Sequence, residues 1–108
     1  MFRLDYNHQG MNMNMVIVVN ERNSVLVRYM ITANNNPDKK DAILKFLNTL
    51  NEERKLKYYM DEDGDIFAEW HYFATDEKFD AELLIESSIS FLKGIERDYP
   101  DLMRIIWS

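Results

Sequence analysis

Asp61, Asp63 and Asp65 alternate through the run Asp61-Glu62-Asp63-Gly64-Asp65, the alternation with which a calcium loop presents oxygen ligands. Such a loop needs its glycine at the sixth position and a bidentate Glu at the twelfth. Here the glycine comes two residues early and Tyr72 stands in the place of that Glu. The flanks are also strand-like, so the pentad reads as a solvated hairpin tip and no metal is expected. The two histidines, His8 and His71, lie far apart with no HxH or HExxH spacing, whereas metal sites take three or four ligands. Met11, Met13 and Met15 would offer soft thioether sulfur, but their alternation continues through Ile17 and Val19, as one apolar strand face does. Ser87, Ser88 and Ser90 fall inside a helical pattern with no GxSxG elbow. The three glycines are isolated, so no glycine-rich loop can cradle a phosphate. No pair of carboxylates stands out in so acidic a chain. The sequence therefore predicts no catalytic residue and no cofactor.

What remains is aromatic. Tyr58, Tyr59, Phe67, Trp70, Tyr72 and Phe73 crowd one hairpin and fall on both of its faces. One face must pack on helices. The other, if left partly uncovered, would hold a partner, since amphipathic aromatics dominate such contacts. Tyr58, Phe67, Trp70 and Tyr72 are the candidate partner-binding surface, set against plain cross-strand packing within the sheet. A different arrangement would make Trp70, Tyr72 and Phe91 the lining of a small-molecule pocket between the sheet and the last helix.

The elements that must position these residues follow from periodicity. Phe2, Leu4 and Tyr6 alternate with Arg3 and Asp5, and His8-Gln9-Gly10 supplies a turn. Met13, Met15, Ile17 and Val19 alternate next; after the turn formers Asn20-Glu21-Arg22-Asn23 come Val25, Val27, Tyr29 and Ile31. Asn34-Asn35-Asn36 ends this strand. Asn36 is a good N-cap with Pro37 at the first helical position, and Ile43, Phe46, Leu47 and Leu50 form one stripe. The polar stretch from Asn48 to Arg54 should release the chain. Strands over 55–60 and 66–73 flank Asp63-Gly64, a strong hairpin signal. A long helix should begin near Phe79 and stop before Pro100, which cannot donate a helical hydrogen bond. The apolar tail from Leu102 to Trp107 should dock on the core. The reading is a single α+β domain over 1–108, an antiparallel sheet in β-β-β-α-β-β-α order with its helices on one face.

The bulk properties narrow the partners. With 19 acidic against 13 basic residues the net charge is −6, which opposes nucleic-acid binding; the nearest thing to a basic run is Arg54-Lys55-Leu56-Lys57. The chain has no cysteine, which leans towards a reducing compartment. No segment resembles a signal peptide, and the longest apolar run, Met15 to Val19, is far too short to span a bilayer. A cytoplasmic protein with neither nucleic-acid nor membrane partners is expected.

From the first helix onward the chain resembles the YbjN family of bacterial sensory transduction regulators, whose fold is similar to that of type III secretion chaperones. The resemblance lies in Phe46-Leu47-Asn48-Thr49-Leu50-Asn51, Lys57-Tyr58-Tyr59-Met60-Asp61-Glu62-Asp63-Gly64-Asp65-Ile66, Phe79-Asp80-Ala81-Glu82-Leu83-Leu84 and Tyr99-Pro100. It implies a non-enzymatic regulatory domain, often dimeric, with chaperone relatives that bind extended partner segments. The family's opening helix has no room here, because Phe2 already reads as strand. Apolar surface that helix would cover must then be hidden otherwise, and a homodimer is the simplest way.

Overall fold

A computed structural model describes residues 2–8, 11–20, 24–32 and 36–107. The first three strands are β1 (Phe2–His8), β2 (Met11–Asn20) and β3 (Ser24–Thr32), followed by α1 (Lys40–Glu53), β4 (Lys57–Met60), β5 (Ile66–Phe73) and α2 (Ala81–Ile106). The five strands form one antiparallel sheet in the order β1-β2-β3-β5-β4. This is the expected α+β order. Of the turn residues expected, 9–10, 21–23 and 34–35 lie outside the described residues.

The sheet's two faces follow from its alternation. On β3, Val25, Val27, Tyr29 and Ile31 are buried while their neighbours are half-buried. The register places Met15 beside Tyr29 and Ile17 beside Val27 on β2, and Ala68 beside Tyr29 and Trp70 beside Val27 on β5. That face carries both helices. The Tyr29 hydroxyl donates to the Ser88 carbonyl of α2 at 2.8 Å, and Ile43, Leu47 and Leu50 of α1 are buried in the same core.

Asn36 accepts a hydrogen bond from the Asp38 amide at 3.0 Å and opens a 3₁₀ turn, Pro37–Lys39, that leads into α1. Against expectation, α1 does not release the chain at Asn48 but runs on to Glu53. Two contacts hold this last stretch: Leu50 is buried, and Asn51 exchanges two hydrogen bonds with the Tyr58 backbone, at 3.0 and 2.7 Å. The side chain of Asn51 thus ties the end of α1 to β4.

The second correction concerns Pro100. It lies within α2 and does not end it. Proline removes one hydrogen bond and crowds the preceding turn, yet Leu102 and Ile106 beyond it are buried. Burying such a side chain contributes roughly 1.5–3 kcal/mol, so two of them match or exceed the proline penalty of about 3 kcal/mol. The tail docks as helix through Leu102 and Ile106, but Trp107, expected to dock with it, is left 81% exposed. Asp80 caps the start of α2 by accepting from the Leu83 amide at 3.0 Å. No helix among the described residues is long and apolar enough to cross a membrane.

Candidate functional site

The strand alternation distributes the hairpin aromatics, and it separates the four that the sequence put on one surface. Tyr58 is buried, 4% exposed, on the helix side of β4 opposite Ala68. Trp70 and Tyr72 lie on the same side of β5 under α2. Trp70 packs on Phe91 with ring centroids 5.0 Å apart and meets Tyr72 edge-on at 6.4 Å. Tyr72 in turn meets Phe79 edge-on at 5.6 Å and accepts from the Asp80 amide at 3.2 Å. Trp70, Tyr72 and Phe91 therefore fill one another's space, as an aromatic seam between β5 and α2. Among the described residues the buried Trp70 indole N–H meets no hydrogen-bond acceptor.

Phe67 alone of the four faces away from the helices. It stacks on Tyr59 at 5.2 Å, and the Arg28 guanidinium lies 5.8 Å above its ring. Glu69 joins this open face, accepting from Arg28 Nε at 3.2 Å and from the Tyr59 hydroxyl at a longer 3.4 Å. Burial, reinforced by the Glu69 charge, raises the Tyr59 pKa. Farther along β5, His71 stacks on the largely exposed Phe73 at 5.9 Å. The open face is amphipathic, and on it Arg28 is paired with Glu69.

A second polar cluster lies under α2 at the β4 side. Asp98 is buried, and Arg54 grips its carboxylate through Nη2 at 2.8 Å and Nε at 3.2 Å. The Tyr58 hydroxyl donates to the same carboxylate at 3.0 Å. Two oxygens thus accept three donors. The fork-to-carboxylate match explains why arginine suits this position. Burial pushes the Tyr58 pKa far up, and the Asp98 charge beside it pushes further; the bond to Asp98 in turn raises that of Arg54. No sequence signal marked this triad. Its members are 40 and 44 residues apart, and Asp98 sits in a charged stretch that reads as a solvated helix face.

The acidic hairpin tip is more ordered than a solvated loop. Asp61 Oδ1 accepts from the amides of Asp63 and Asp65 at 3.0 and 2.9 Å, while Gly64 takes a φ of 82°. One carboxylate oxygen each of Asp61, Asp63 and Asp65 lies within 4.8 Å of the others. The internal bonds already use one Asp61 oxygen to hold the turn.

The remaining feature is apolar. On α2, Ile85, Ile89 and Leu92 stand at i, i+4 and i+7 and so share one flank. Ser90, Gly94 and Arg97 share another, which lines a cavity with Arg54 and Tyr58 on the β4 side. The Ile85 flank lies across the buried row of Leu84, Ser88 and Ile95 and therefore looks towards β2. On the helix side of β2 Ile17 is half-buried and Val19 is 65% exposed, and on the α2 flank itself Ile85 is 57% and Ile89 48% exposed. Ile85 and Ile89 thus form an exposed apolar stripe along α2, continued by the half-buried Leu92. No family model matches the chain, and no curated protein matches it.

Proposed function

We propose that this chain is a non-enzymatic protein-interaction domain of the cytoplasm that self-associates through the α2 stripe of Ile85, Ile89 and Leu92. The exposure of branched apolar side chains on successive turns of α2 carries this reading. Isolated exposed apolar residues are ordinary on protein surfaces; contiguous ones mark contact sites. A two-fold pairing lays the same flank of each copy against the other, so one stripe suffices for both halves. The resemblance to dimeric regulators and chaperone-like proteins supports the same reading. The amphipathic open face, with Tyr59, Phe67 and Phe73, then remains for a protein or peptide partner. The small-molecule pocket expected from Trp70, Tyr72 and Phe91 is not favoured, because those rings pack on one another.

Light scattering after gel filtration tests the association. At micromolar concentration the chain should run at twice its 13.0 kDa monomer mass. Ile89→Glu should return it to a monomer with its unfolding midpoint little changed, since the side chain is already half exposed. A wild-type chain that is monomeric at that concentration would sink the reading.

A further inference from the structure

Between α2 and the approach to β4 lies a cavity of about 260 Å³, lined among others by Arg54, Lys55, Arg97, Ser90, Phe91 and Tyr58. From this cavity we infer a binding site for a small oxyanion, a carboxylate or phosphate carried on a flat apolar body. Three observations converge on that chemistry.

The first is charge. The chain as a whole carries −6, yet the lining here holds three cations, Arg54, Lys55 and Arg97, against two acids, Glu53 and Asp98, a net charge of +1. Of the two acids in the lining, Asp98 is committed to Arg54 and Tyr58 through both of its oxygens. The other, Glu53, is exposed and touches Arg54 Nη1 only at 3.5 Å. Lys55 and Arg97 make no hydrogen bond or ion pair among the described residues. A positive cavity on an acidic protein concentrates anions locally while the rest of the surface repels them.

The second is the placement of the donors. Arg97 lies back along α2 over Gly94, its Nη2 3.6 Å from where a Gly94 Cβ would stand. This brings its guanidinium to the cavity, within range of the Tyr58 hydroxyl, whose proton loss its charge favours. The planar guanidinium matches a carboxylate or phosphate through paired N–H donors, and Ser90 adds a hydroxyl from the preceding turn.

The third is the wall. Phe91 and Leu56 line the cavity beside the cations, and Phe91 is fixed from behind by Trp70 at 5.0 Å. A rigid aromatic wall beside cations suits a ligand with a flat apolar body and one anionic end.

The test titrates ¹⁵N-labelled chain with phenyl phosphate, benzoate, inorganic phosphate and phenol at low ionic strength, following the amides of Ser90, Phe91 and Gly94. Phenyl phosphate and benzoate should shift them saturably, and inorganic phosphate should bind more weakly. Arg97→Gln should weaken phenyl phosphate by about tenfold, the loss of one charge-assisted pair. Lys45→Gln, an equal change of net charge on the exposed face of α1, should not. Absence of saturation in every arm would overturn the site, as would an Arg97→Gln variant that binds like wild type. Phenol binding as tightly as phenyl phosphate would overturn the oxyanion, and inorganic phosphate binding as tightly would overturn the apolar body.

Discussion

At the scale of single residues, the polar groups beneath α2 set the response to pH. Burial pushes the Tyr29 pKa up to about 12, and that of Tyr58 moves further in the same direction. An unfolded tyrosine ionises near pH 10, roughly its model-peptide value. Below that pH both states hold their protons and the full stability is present. Above it the unfolded chain releases protons that the folded chain keeps, so stability falls as pH rises. Denaturant titrations from pH 7 to 11 should therefore show a flat midpoint that declines above about pH 10. Tyr29→Phe should cost about 1 kcal/mol at neutral pH, the net worth of its bond to Ser88, and make the alkaline decline shallower. Asp98→Ala should cost about 2–4 kcal/mol, because it strands the Tyr58 hydroxyl and the half-buried Arg54 together. Little at this scale was legible in the sequence. The aromatic character of the hairpin was plain, but the side each ring takes depends on a register that composition does not reveal.

Whole elements were more legible, because their signals are local. The alternation of Val25 to Ile31, the Asn36-Pro37 start and the Asp63-Gly64 turn each rest on a few neighbouring residues, and each is found where those residues place it. The two helix ends failed for one shared reason. Polar residues after Leu47 and a proline at 100 both argue for stopping, and in both cases buried side chains farther along outweigh the local preference. The cost of that override is measurable. Pro100→Ala should restore an amide donor to α2 and raise stability by about 1 kcal/mol or more in thermal or denaturant unfolding. Gly64→Ala should act in the opposite sense. A φ of 82° at Gly64 is strained for any residue with a Cβ, and about 1 kcal/mol of destabilisation is expected by the same measurement.

For the molecule as a whole, what was hardest to read is how distant parts meet. The order of strands and helices along the chain was readable, whereas the pairing of β3 with β5, which inserts β5 between β3 and β4, comes from packing over long sequence separations. That pairing bears on how the chain is made. Strands β1 to β3 can pair through short connections, but the helices that cover their apolar side come later, and α2 comprises 26 residues ending at Ile106. A ribosome adds roughly 5–20 residues per second, so several seconds separate completion of β3 from arrival of its cover. Through that interval Val25, Val27 and Ile31 face water on the nascent chain. A holding chaperone would thus act on this chain during its synthesis, before α2 has closed over the sheet.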